Sequence, residues 1–486
     1  MTSLLTDGDW SGKIWLDGWR DGGGGKSDVV EPATGQTLGV IGVASTDDVR
    51  VAAERAAAAQ ASWALTSPED RAAVLRRAGD LWNQHEAEIA DWIVRESGSV
   101  AVKAGLELHT AAQESYEAAA LPTHPTGEVL ASMPGRWSFA RRRPVGVVSV
   151  IAPFNFPLIL SIRSVAPALA LGNAVLLKPD LRTAVCGGVV LARIFEEAGL
   201  PSGLLHVLPG GADIGEAVVT AGPVGVVSFT GSTAAGRRVG ALGAEHLKRT
   251  HLELGGNSAL IVLPGADLER AVSAAAFGSF LHQGQICMTT GRHLVHASLY
   301  EEYLARLAEK ASALPVGDPA SGTVALGPLI DENQRDRVHD VVQRTVSAGG
   351  ELLTGGVYED LFYRPTVLAD IQDTHAAWAE EIFGPVAPVR AFTDVDEAIA
   401  AASASEYGLS LGILGDPGEA MRVADAVPSG IVHINEQTVA DEAHVPFGGV
   451  GASGTGARFG GATANVEAFT ETQWLTARPD IAPYPF

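Results

Sequence analysis

Cysteine is scarce in this chain: only Cys186 and Cys287 occur among 486 residues. Two thiols cannot build a disulfide scaffold, so this composition excludes a disulfide-stabilised secreted domain. A reducing compartment suits such a chain, and we expect the protein to be cytoplasmic. The length predicts two or three domains rather than one hydrophobic core.

Positive charge is also in short supply, with 34 Lys and Arg residues against 57 Asp and Glu residues and a formal net charge of −23. The sequence has no long Lys/Arg run that would offset this balance. A nucleic-acid partner needs a basic patch on the protein surface. We therefore expect no nucleic-acid partner.

Signals for membrane insertion and export are missing as well. Residues 1–10 lack a basic start and an apolar core, so they do not form a signal peptide. One run of 18 residues without a charge, 145–162, contains Pro153, Asn155 and Pro157. Because spanning helices rarely tolerate such a cluster of breakers, this run is interpreted as a strand, a turn and the start of a helix, and no membrane partner is expected.

Two motifs for metal or phosphate binding are incomplete. Residues 85–89 contain His85 but not the second histidine of a zinc-protease helix, so no metal is assigned. Residues 22–27 resemble a phosphate loop, but Arg20 stands where the first glycine is required and no buried strand precedes it. This segment is predicted to be the tip of a β-hairpin.

Short apolar runs alternate with Ala-rich helical segments from residue 145 onward, which indicates parallel sheets covered by helices and an α/β fold. Ligands in such sheets bind beyond the carboxyl ends of the strands. Those ends fall at residues 153–155, 178, 210–211 and 231–232. The predicted strands are 145–151, 174–178, 204–208 and 224–229, followed in a second α/β unit by 258–263, a strand near 367, and strands at 386–392, 409–414 and 431–434.

Three distant residues suit one reaction. Alone, Cys287 is more often a buried small hydrophobe, and Asn155 more often a helix cap. Together, the Cys287 thiolate can attack a carbonyl carbon, and the Asn155 amide and the Cys287 backbone N–H can stabilise the oxyanion. Glu253 can activate the water that hydrolyses the thioester, and a nicotinamide can accept the expelled hydride.

The motifs around these residues occur in an order that resembles the aldehyde dehydrogenase superfamily over nearly the whole chain. By this resemblance, Cys287 is the nucleophile, Glu253 the general base and Asn155 the oxyanion donor. The motifs are Pro153-Phe-Asn-Phe-Pro157, Leu177-Lys-Pro179, Phe229-Thr-Gly-Ser232, Leu252-Glu-Leu-Gly-Gly256, Gly284-Gln-Ile-Cys287, Glu380-Glu-Ile-Phe-Gly-Pro385 and Pro446-Phe-Gly-Gly449.

The same resemblance implies a nicotinamide cofactor site. Lys178 would contact the adenosine ribose, Gly231 and Ser232 the pyrophosphate, and Glu381 the nicotinamide ribose. The full implied set is Ile151, Pro153, Phe154, Lys178, Gly211, Phe229, Gly231, Ser232, Leu254, Glu381 and Phe383.

The cofactor preference is predicted to be dual. NAD-preferring members usually carry an acidic residue three positions after the lysine, but this chain has Leu181 there, followed by Arg182. A missing carboxylate removes repulsion against the 2′-phosphate of NADP. Since Asp180 can partly substitute for that carboxylate, use of both NAD and NADP is expected.

The substrate funnel implied by the resemblance is mostly apolar, which suits an aromatic ring or a medium aliphatic chain. The sequence after Asn155 is similar to the benzaldehyde, vanillin and salicylaldehyde dehydrogenase branch. In this interpretation Arg163 or His282 meets a ring hydroxyl, although Arg163 is equally suited to a structural role. The funnel residues are Phe156, Leu160, Arg163, Leu281, His282, Ile286, Met288 and Phe447.

The resemblance also implies a division of the chain: a Rossmann-like cofactor-binding domain (1–121 and 143–252), an α/β catalytic domain (253–445), a β-hairpin oligomerisation arm (122–142 and 467–486) and a return segment (446–466). The run 470–476 would extend the sheet of the arm. Because exposed strand edges seldom stay unpaired, a homodimer or homotetramer is expected.

Other functions stay open at this stage. A CoA-acylating aldehyde dehydrogenase would pass the thioester to CoA rather than to water, and an aliphatic aldehyde or semialdehyde dehydrogenase would share the same motifs. A cysteine hydrolase would need a histidine paired with Cys287, and no motif supplies one. A non-catalytic protein on this scaffold would have no need to retain Cys287, Glu253 and Asn155.

Overall fold

The computed structural model describes residues 3–5 and 7–486, and two seven-stranded sheets organise most of them. The first sheet contains five neighbouring parallel strands and ends in two short antiparallel ones. In spatial order its strands are β11 (Arg249–Glu253), β10 (Val224–Thr230), β7 (Val147–Ile151), β8 (Ala174–Lys178), β9 (Leu205–Val207), β1 (Ile14–Trp15) and β2 (Trp19–Arg20).

Continuous apolar runs explain the central strands of this sheet. Every residue of β7 is buried, and β8 is buried up to Lys178 at its end, as expected for parallel strands covered by helices. The four predicted strands between 145 and 229 are confirmed within two residues at each end. The helices of this half are α2 (Thr46–Trp63), α3 (Pro68–Gln84), α4 (Glu86–Ser97), α5 (Ala101–Ala120), α6 (Pro157–Ala170), α7 (Val190–Glu197), α8 (Ala212–Thr220) and α9 (Thr233–Glu245).

The second sheet follows the same plan, with six parallel strands and one antiparallel edge strand. The strands predicted between 258 and 434 are confirmed within one residue at each end. In spatial order its strands are β14 (Glu351–Thr354), β17 (Thr366–Ala369), β18 (Val386–Phe392), β13 (Thr290–His296), β12 (Ser258–Val262), β20 (Ser410–Leu414) and β21 (Ile431–Ile434). Its helices are α10 (Leu268–Phe280), α11 (Ala297–Ala313), α12 (Glu332–Ser347), α13 (Ala376–Ala379), α14 (Val395–Ser403) and α15 (Pro417–Ala426).

A separate antiparallel sheet joins the middle of the chain to its C-terminal region. It contains β5 (Gly127–Val129), β6 (Trp137–Pro144) and β23 (Thr470–Ala477), with β6 in the centre. The run 470–476 therefore extends the hairpin of β5 and β6, as the resemblance implies. The remaining elements are α1 (Asp7–Trp10), α16 (Ala462–Phe469) and the strand pairs β3 (Lys26–Val30) with β4 (Thr37–Gly42), β15 (Tyr358–Glu359) with β16 (Phe362–Tyr363), and β19 (Tyr407–Gly408) with β22 (Val450–Gly451).

The prediction that residues 22–27 form a hairpin tip is wrong. These residues connect β2, which pairs with β1, to β3, which pairs with β4. Gly24 packs so closely on the following segment that a Cβ at this position would lie 2.5 Å from the Ala44 carbonyl oxygen. The glycines therefore allow the connector between the two strand pairs to pack directly against the backbone of Val43 and Ala44.

The architecture confirms the expected α/β fold with two parallel-sheet units and a smaller antiparallel sheet; the exact domain boundaries stay predictions. Over residues 3–5 and 7–486, no helix combines the length and the apolar character needed to cross a membrane. Within the same part of the chain, no cluster of three or more His, Cys, Asp or Glu side chains is placed to hold a metal ion.

Candidate active site

A cleft of about 350 Å³ opens where the two large sheets meet. The first sheet contributes the carboxyl ends of its strands, including Ile151 of β7 and Lys178 of β8. The second sheet contributes segments that precede its strands, including Cys287 before β13 and Glu381 before β18. The cleft is lined by Ile151, Ala152, Pro153, Phe154, Asn155, Leu160, Lys178, Asp180, Arg182, Phe229, Thr230, Gly231, Ser232, Ala235, Leu254, Gly255, Cys287, Gln334, Arg337, Glu381 and Phe383.

Cys287 follows a strained turn at the end of α10. His282 and Gln283 both have left-handed backbone angles, with φ values of 48° and 56°. The Gln283 amide holds this turn by donating to the carbonyl oxygens of Gly98 (3.0 Å) and Pro328 (2.7 Å). Non-glycine residues adopt this conformation only when the surrounding structure imposes it, as these two hydrogen bonds do.

The Cys287 thiol lines the cleft but is only partly exposed. Burial raises its pKa to about 12, and the nearby carboxyl groups of Glu381 and Glu253 act in the same direction. The resting side chain is therefore a neutral thiol. A nucleophilic role requires a base that removes its proton as the reaction proceeds.

Asn155 reaches the same loop from the other side of the cleft. Its Nδ2 donates to the carbonyl oxygen of Gln285 (2.9 Å), two residues before Cys287. It does not cap α6, because the N-cap residue is Phe156 and no side chain at that position bonds the helix. The helix N–H of Leu158 is instead bonded to the Glu107 carboxylate (3.3 Å). Of the two roles considered for Asn155, the geometry disfavours the helix cap.

Glu253 is the last residue of β11 and is 3% exposed. Neither of its carboxylate oxygens accepts a hydrogen bond in the described residues. Burial raises its pKa well above the usual range, while the Arg458 guanidinium opposes this effect. Glu253 does not line the cleft itself, but it is near enough to influence the pKa of Cys287.

Paired glycines bring the two sheets together between β11 and β12. A Cβ at Gly256 would lie 2.5 Å from the carbonyl oxygen of Cys287, and a Cβ at Gly255 would collide with the Glu381 carboxylate. The Gly256 N–H also donates to Glu381 Oε1 (3.0 Å). The glycine pair is thus required by close approach of both Cys287 and Glu381.

The cleft has the groups that a dinucleotide requires. Gly231 and Ser232 stand at the N-terminus of α9, where free N–H groups attract phosphate. Burial lowers the pKa of the Lys178 ammonium group, and Asp180 opposes this effect. Glu381 has one carboxylate oxygen with no hydrogen-bond donor among the described residues, and burial raises its pKa to about 7. Except for Gly211, every residue of the predicted cofactor set lines the cleft.

Gly211 is placed elsewhere. It forms the N-cap of α8, and the preceding Pro209 carbonyl accepts a hydrogen bond from Ala44 (2.8 Å). The turn is therefore held against the N-terminal segment and does not line the cleft. A role for Gly211 in cofactor binding stays a prediction.

Sequence reasoning missed two residues of α12 that lie one turn apart. The Gln334 amide donates to the carbonyl oxygen of Phe383 (2.8 Å), and Arg337 donates to that of Glu381 (2.8 Å). Both side chains line the cleft and fix the Glu381–Phe383 loop, in which Phe383 has a φ of 57°. Their spacing of three residues on a polar helix face carries no signal for this role.

Arg182 is less available than the sequence suggests. Its guanidinium bonds both Asp180 (2.8 Å) and Asp331 (2.6 Å) and stacks on Phe154 at 4.3 Å. Its positive charge is therefore largely compensated. Leu181 belongs to a short helical turn, Leu181–Thr183, and brings no carboxylate to the cleft.

An apolar cluster surrounds the other side of Cys287. Six of the predicted funnel residues belong to it: Phe156, Leu160, Leu281, Ile286, Met288 and Phe447. Sequence reasoning missed Ile159, Leu409, Ile431 and Val439, which complete the cluster. Only their position in the fold identifies them, because all four lie outside the seven motifs.

Arg163 and His282 lie at the margin of this cluster. Arg163 is buried, forms ion pairs with Glu114 (3.0 Å) and Asp441, and stacks on Phe447 at 4.8 Å. His282 is fully buried and packs edge-on against Phe156, with ring centroids 5.7 Å apart. Burial lowers the pKa of His282 well below its usual value, so its ring is neutral.

Known proteins with this sequence pattern and fold share one family. The chain is 65% identical over 485 residues to a vanillin dehydrogenase of an Amycolatopsis species, covering 100% of both chains. It is 49% identical over 479 residues to the NAD(+) benzaldehyde dehydrogenase of Pseudomonas putida, covering 98% of each. The solved structure of a salicylaldehyde dehydrogenase from Pseudomonas putida, complexed with salicylaldehyde, has a TM-score of 0.94 and 34% identity, covering 98% of this chain and 99% of that one.

Residues 19–475 match the aldehyde dehydrogenase family. The match covers both large sheets except β1, the cleft between them and most of the antiparallel arm sheet. Cys287, Glu253 and Asn155 all fall inside it. This chain belongs to the aldehyde dehydrogenase family and is an oxidoreductase that acts on aldehydes.

Proposed function

We propose that this enzyme oxidises an aromatic aldehyde to its carboxylic acid, using NAD and also accepting NADP. One observation carries the proposal: Cys287 lies at the junction of a cleft that suits a dinucleotide and an apolar cluster that suits a ring. Aldehyde oxidation requires that the cofactor and the aldehyde both lie next to the nucleophilic sulfur. The names of two similar proteins, a vanillin dehydrogenase and an NAD(+) benzaldehyde dehydrogenase, support the same substrate class.

In the proposed reaction, Cys287 Sγ adds to the carbonyl carbon of the aldehyde. The developing oxyanion accepts hydrogen bonds from the Cys287 backbone N–H and from Asn155, whose Nδ2 has a second N–H beyond the one held by Gln285. Because the thiol pKa is about 12, its proton must pass to a base such as the Glu253 carboxylate as the C–S bond forms, and from there to solvent before hydrolysis. A bound nicotinamide cofactor supplies the hydride acceptor that turns the adduct into a thioester.

Hydrolysis of the thioester is assigned to Glu253. The carboxylate takes a proton from water, the resulting hydroxide adds to the thioester carbonyl, and Sγ leaves as the acid is formed. A buried carboxylate without hydrogen bonds is a stronger base than an exposed one when it is ionised, which suits this step.

Four groups of the cleft are proposed to hold the cofactor. Lys178 and Glu381 would bind the two ribose units, and the start of α9 at Gly231 and Ser232 would bind the pyrophosphate. Phe383 would lie beside the nicotinamide ring. In the relevant part of the cleft, Leu181 adds no negative charge, and Arg182 is paired with two carboxylates. Because position 181 brings no repulsion and the charge of Arg182 is compensated, these two residues do not select strongly for either form of the 2′ position, and both cofactors are expected to bind.

The apolar cluster supports an aromatic substrate. Phe156 and Phe447 contribute two aromatic rings, and most other members of the cluster are aliphatic. Arg163 Nη1 has no hydrogen-bond partner among the described residues, although the side chain is buried. This atom is the candidate donor to a ring hydroxyl.

A homodimer or homotetramer is proposed on the basis of the arm. The outer edge of β5 pairs with no strand among the described residues, and Val129, Met133, Trp137 and Trp474 are all more than half exposed. Unpaired edges and exposed apolar side chains indicate an interface. Light scattering is expected to give a mass at least twice that of the 50.3 kDa chain.

A substrate panel with each cofactor tests the proposal. Benzaldehyde, vanillin, hexanal and succinic semialdehyde are assayed with NAD and with NADP in the absence of CoA, and the acid product is quantified. We expect kcat/KM for the aromatic aldehydes to exceed that for the aliphatic ones at least ~10-fold. We also expect NADP to support turnover within about a thousandfold of NAD, since no carboxylate stands at 181.

Three results would contradict the parts of this proposal separately. Comparable kcat/KM values for benzaldehyde and hexanal would exclude an aromatic preference. A larger gap between NAD and NADP would exclude dual use. NADH formation that requires CoA and yields acyl-CoA in place of the free acid would indicate the acylating reaction instead of hydrolysis.

A further inference from the structure

The carboxylate of Glu253 and the guanidinium of Arg458 both lie close to Gly448. A Cβ placed on Gly448 would lie 2.8 Å from Glu253 Oε1 and 2.8 Å from the Arg458 guanidinium nitrogen Nη1. The two atoms therefore lie within about 6 Å of each other, at a separation where an opposite charge favours the ionised form of a carboxyl group. No direct ion pair joins them in the described residues.

Arg458 is held by the backbone rather than by another charge. Its Nη1 donates to the carbonyl oxygens of Gly449 (3.1 Å) and Ala457 (2.9 Å). Among the residues that the structure describes, it forms no salt bridge with any carboxylate. Its positive charge is therefore uncompensated. The guanidinium lies next to Gly448, as the Glu253 carboxylate does.

The other charged or titratable groups that act on Glu253 do not replace it. Arg163 is the second cation that favours ionisation, but it is paired with both Glu114 and Asp441. Asp441 disfavours ionisation of Glu253, and the neighbouring Cys287 is a neutral thiol. The N–H of Gly449 lies close enough to favour the charged form as well. Arg458 is thus the principal uncommitted cation near Glu253.

We propose that Arg458 is the charge partner of Glu253 and favours ionisation of its buried carboxyl group, so that the carboxylate can accept a proton from the hydrolytic water. The proposal rests on the role of Glu253 as the base in thioester hydrolysis. Arg458 acts through Glu253 and does not touch the reacting atoms, so it is a positioning residue. Among the influences on the pKa of Glu253, burial raises it most, and Arg458 lowers it most.

Gly448 is part of the same arrangement. Its φ of 156° lies in the region that favours glycine, and a Cβ would collide with the carbonyl oxygen of Ala457 (2.5 Å) as well as with the two charged groups. A larger residue at this position would therefore push Arg458 and Glu253 apart. With glycine there, the two charges are close enough to interact although they form no contact ion pair.

The test compares four variants across a range from about pH 6 to about pH 10, chosen around the region where a raised carboxyl pKa titrates. Arg458→Gln removes the charge but keeps a donor for the carbonyl oxygens of Gly449 and Ala457. Arg458→Lys keeps the charge. Arg249→Met is the matched control, because this guanidinium also bonds only backbone carbonyls, those of Ala468 and Thr470. Glu253→Gln is the reference for loss of the base.

Two rates are measured for each variant with benzaldehyde and NAD. The burst of NADH reports formation of the acyl-enzyme, and acid quenching followed by intact-protein mass spectrometry reports its decay. We expect Arg458→Gln to leave the burst amplitude unchanged, to shift the midpoint of the decay profile upward by about one pH unit, and to slow decay ~10-fold below that midpoint. Arg458→Lys should restore most of the rate, and Arg249→Met should keep the wild-type midpoint.

The outcomes separate this inference from the proposed function. If Glu253→Gln leaves acyl-enzyme decay unchanged, the base assignment fails, and the role of Arg458 fails with it. If Glu253→Gln slows decay but Arg458→Gln retains the wild-type midpoint, only the role of Arg458 is overturned. A purely structural role predicts that Gln rescues as well as Lys, and this result would also overturn it. If Arg458→Gln does not fold, the Lys variant decides, because a structural role predicts loss of rate at every pH without a change of midpoint.

Discussion

The two large sheets resemble each other in plan but face the active site with opposite ends. The first sheet presents the carboxyl ends of its strands, where β7 ends at Ile151, β8 at Lys178 and β11 at Glu253. The second sheet presents the segments that lead into its strands, since Cys287 precedes β13 and Glu381 precedes β18. The cleft is therefore built from strand ends on one side and from strand entrances on the other.

This difference separates binding from chemistry. Carboxyl ends of parallel strands are followed by turns and helix N-termini, which suit a phosphate-containing cofactor. The loops before the strands of the second sheet are held by hydrogen bonds from elsewhere, such as those of Gln283 and Gln334. They can hold strained backbone, and so they can fix the position of a reactive side chain.

The largest expected effect comes from the two cysteines, which lie one in each half. Cys287→Ala should lower kcat by more than about a thousandfold because the nucleophile is lost, while NADH binding measured by fluorescence stays near the wild-type value. Cys186→Ala is the control: Cys186 is fully buried in the first half, and its pKa is raised well above the usual value by burial. This variant should retain turnover, and equal losses in both variants would contradict the assignment of Cys287.

A smaller effect is expected where the two halves touch. Gly256→Ala would place a methyl group against the carbonyl oxygen of Cys287, so we expect kcat to fall ~10- to 100-fold through displacement of the thiol. Gly215→Ala is the matched control, because Gly215 lies inside α8 with open space around it. The control should keep full activity and gain about 0.5–1 kcal/mol of stability, measured by urea unfolding.

Retention of wild-type kcat in Gly256→Ala would show that the contact with the Cys287 loop does not control the position of the thiol. Loss of activity in both glycine variants would indicate a general sensitivity of the fold instead. Urea unfolding of both variants distinguishes a local effect on the loop from a loss of folded protein.

The smallest expected effect concerns the pH dependence of cofactor binding. Burial raises the pKa of Glu381 to about 7, whereas burial lowers the pKa of Lys178, which belongs to the other sheet. Ionised Glu381 accepts ribose hydrogen bonds better than the protonated acid does. The dissociation constant of NAD should therefore decrease by a few-fold as the pH rises from about 6 to about 8.

Fluorescence titration with NADH over this range measures the effect. Glu381→Gln should bind more weakly at pH 8 and should lose the pH dependence. An unchanged slope in this variant would assign the titration to another group. The same shift has a consequence for folding: a raised carboxyl pKa stabilises the folded state at low pH, and this contribution is lost as the pH rises through about 7.

The sequence predicts the two halves to different extents. Val147–Ile151 and Ala174–Lys178 are continuous apolar strands, so their ends and the residues that follow them can be located without a structure. Cys287 and Glu381 do not follow strands and are identified only through motifs. Neither the strand pattern nor the motifs identified Gln334, Arg337 and Arg458, because their roles depend on hydrogen bonds and charges between segments that are distant in sequence.

Local sequence patterns gave one wrong prediction, at the glycine-rich turn, and gave no prediction for the strained backbone before Cys287. The glycines at 22–25 indicate a turn, but the sequence does not specify which strands the turn connects. The strained backbone at His282 and Gln283 has no sequence signal, since non-glycine residues rarely adopt positive φ and here do so under tertiary constraint.

The short connection from β11 to β12 has a consequence for recombining this protein with its relatives. Residues 254–257 carry the chain from one sheet to the other and at the same time pack against the backbone of Cys287 and the Glu381 carboxylate. A chimera that exchanges the second half at this crossover would change both contacts in one step. A crossover placed after Ser258 would take residues 254–257 from one parent and Cys287 and Glu381 from the other. The 254–257 segment, Cys287 and Glu381 should therefore be transferred as a unit.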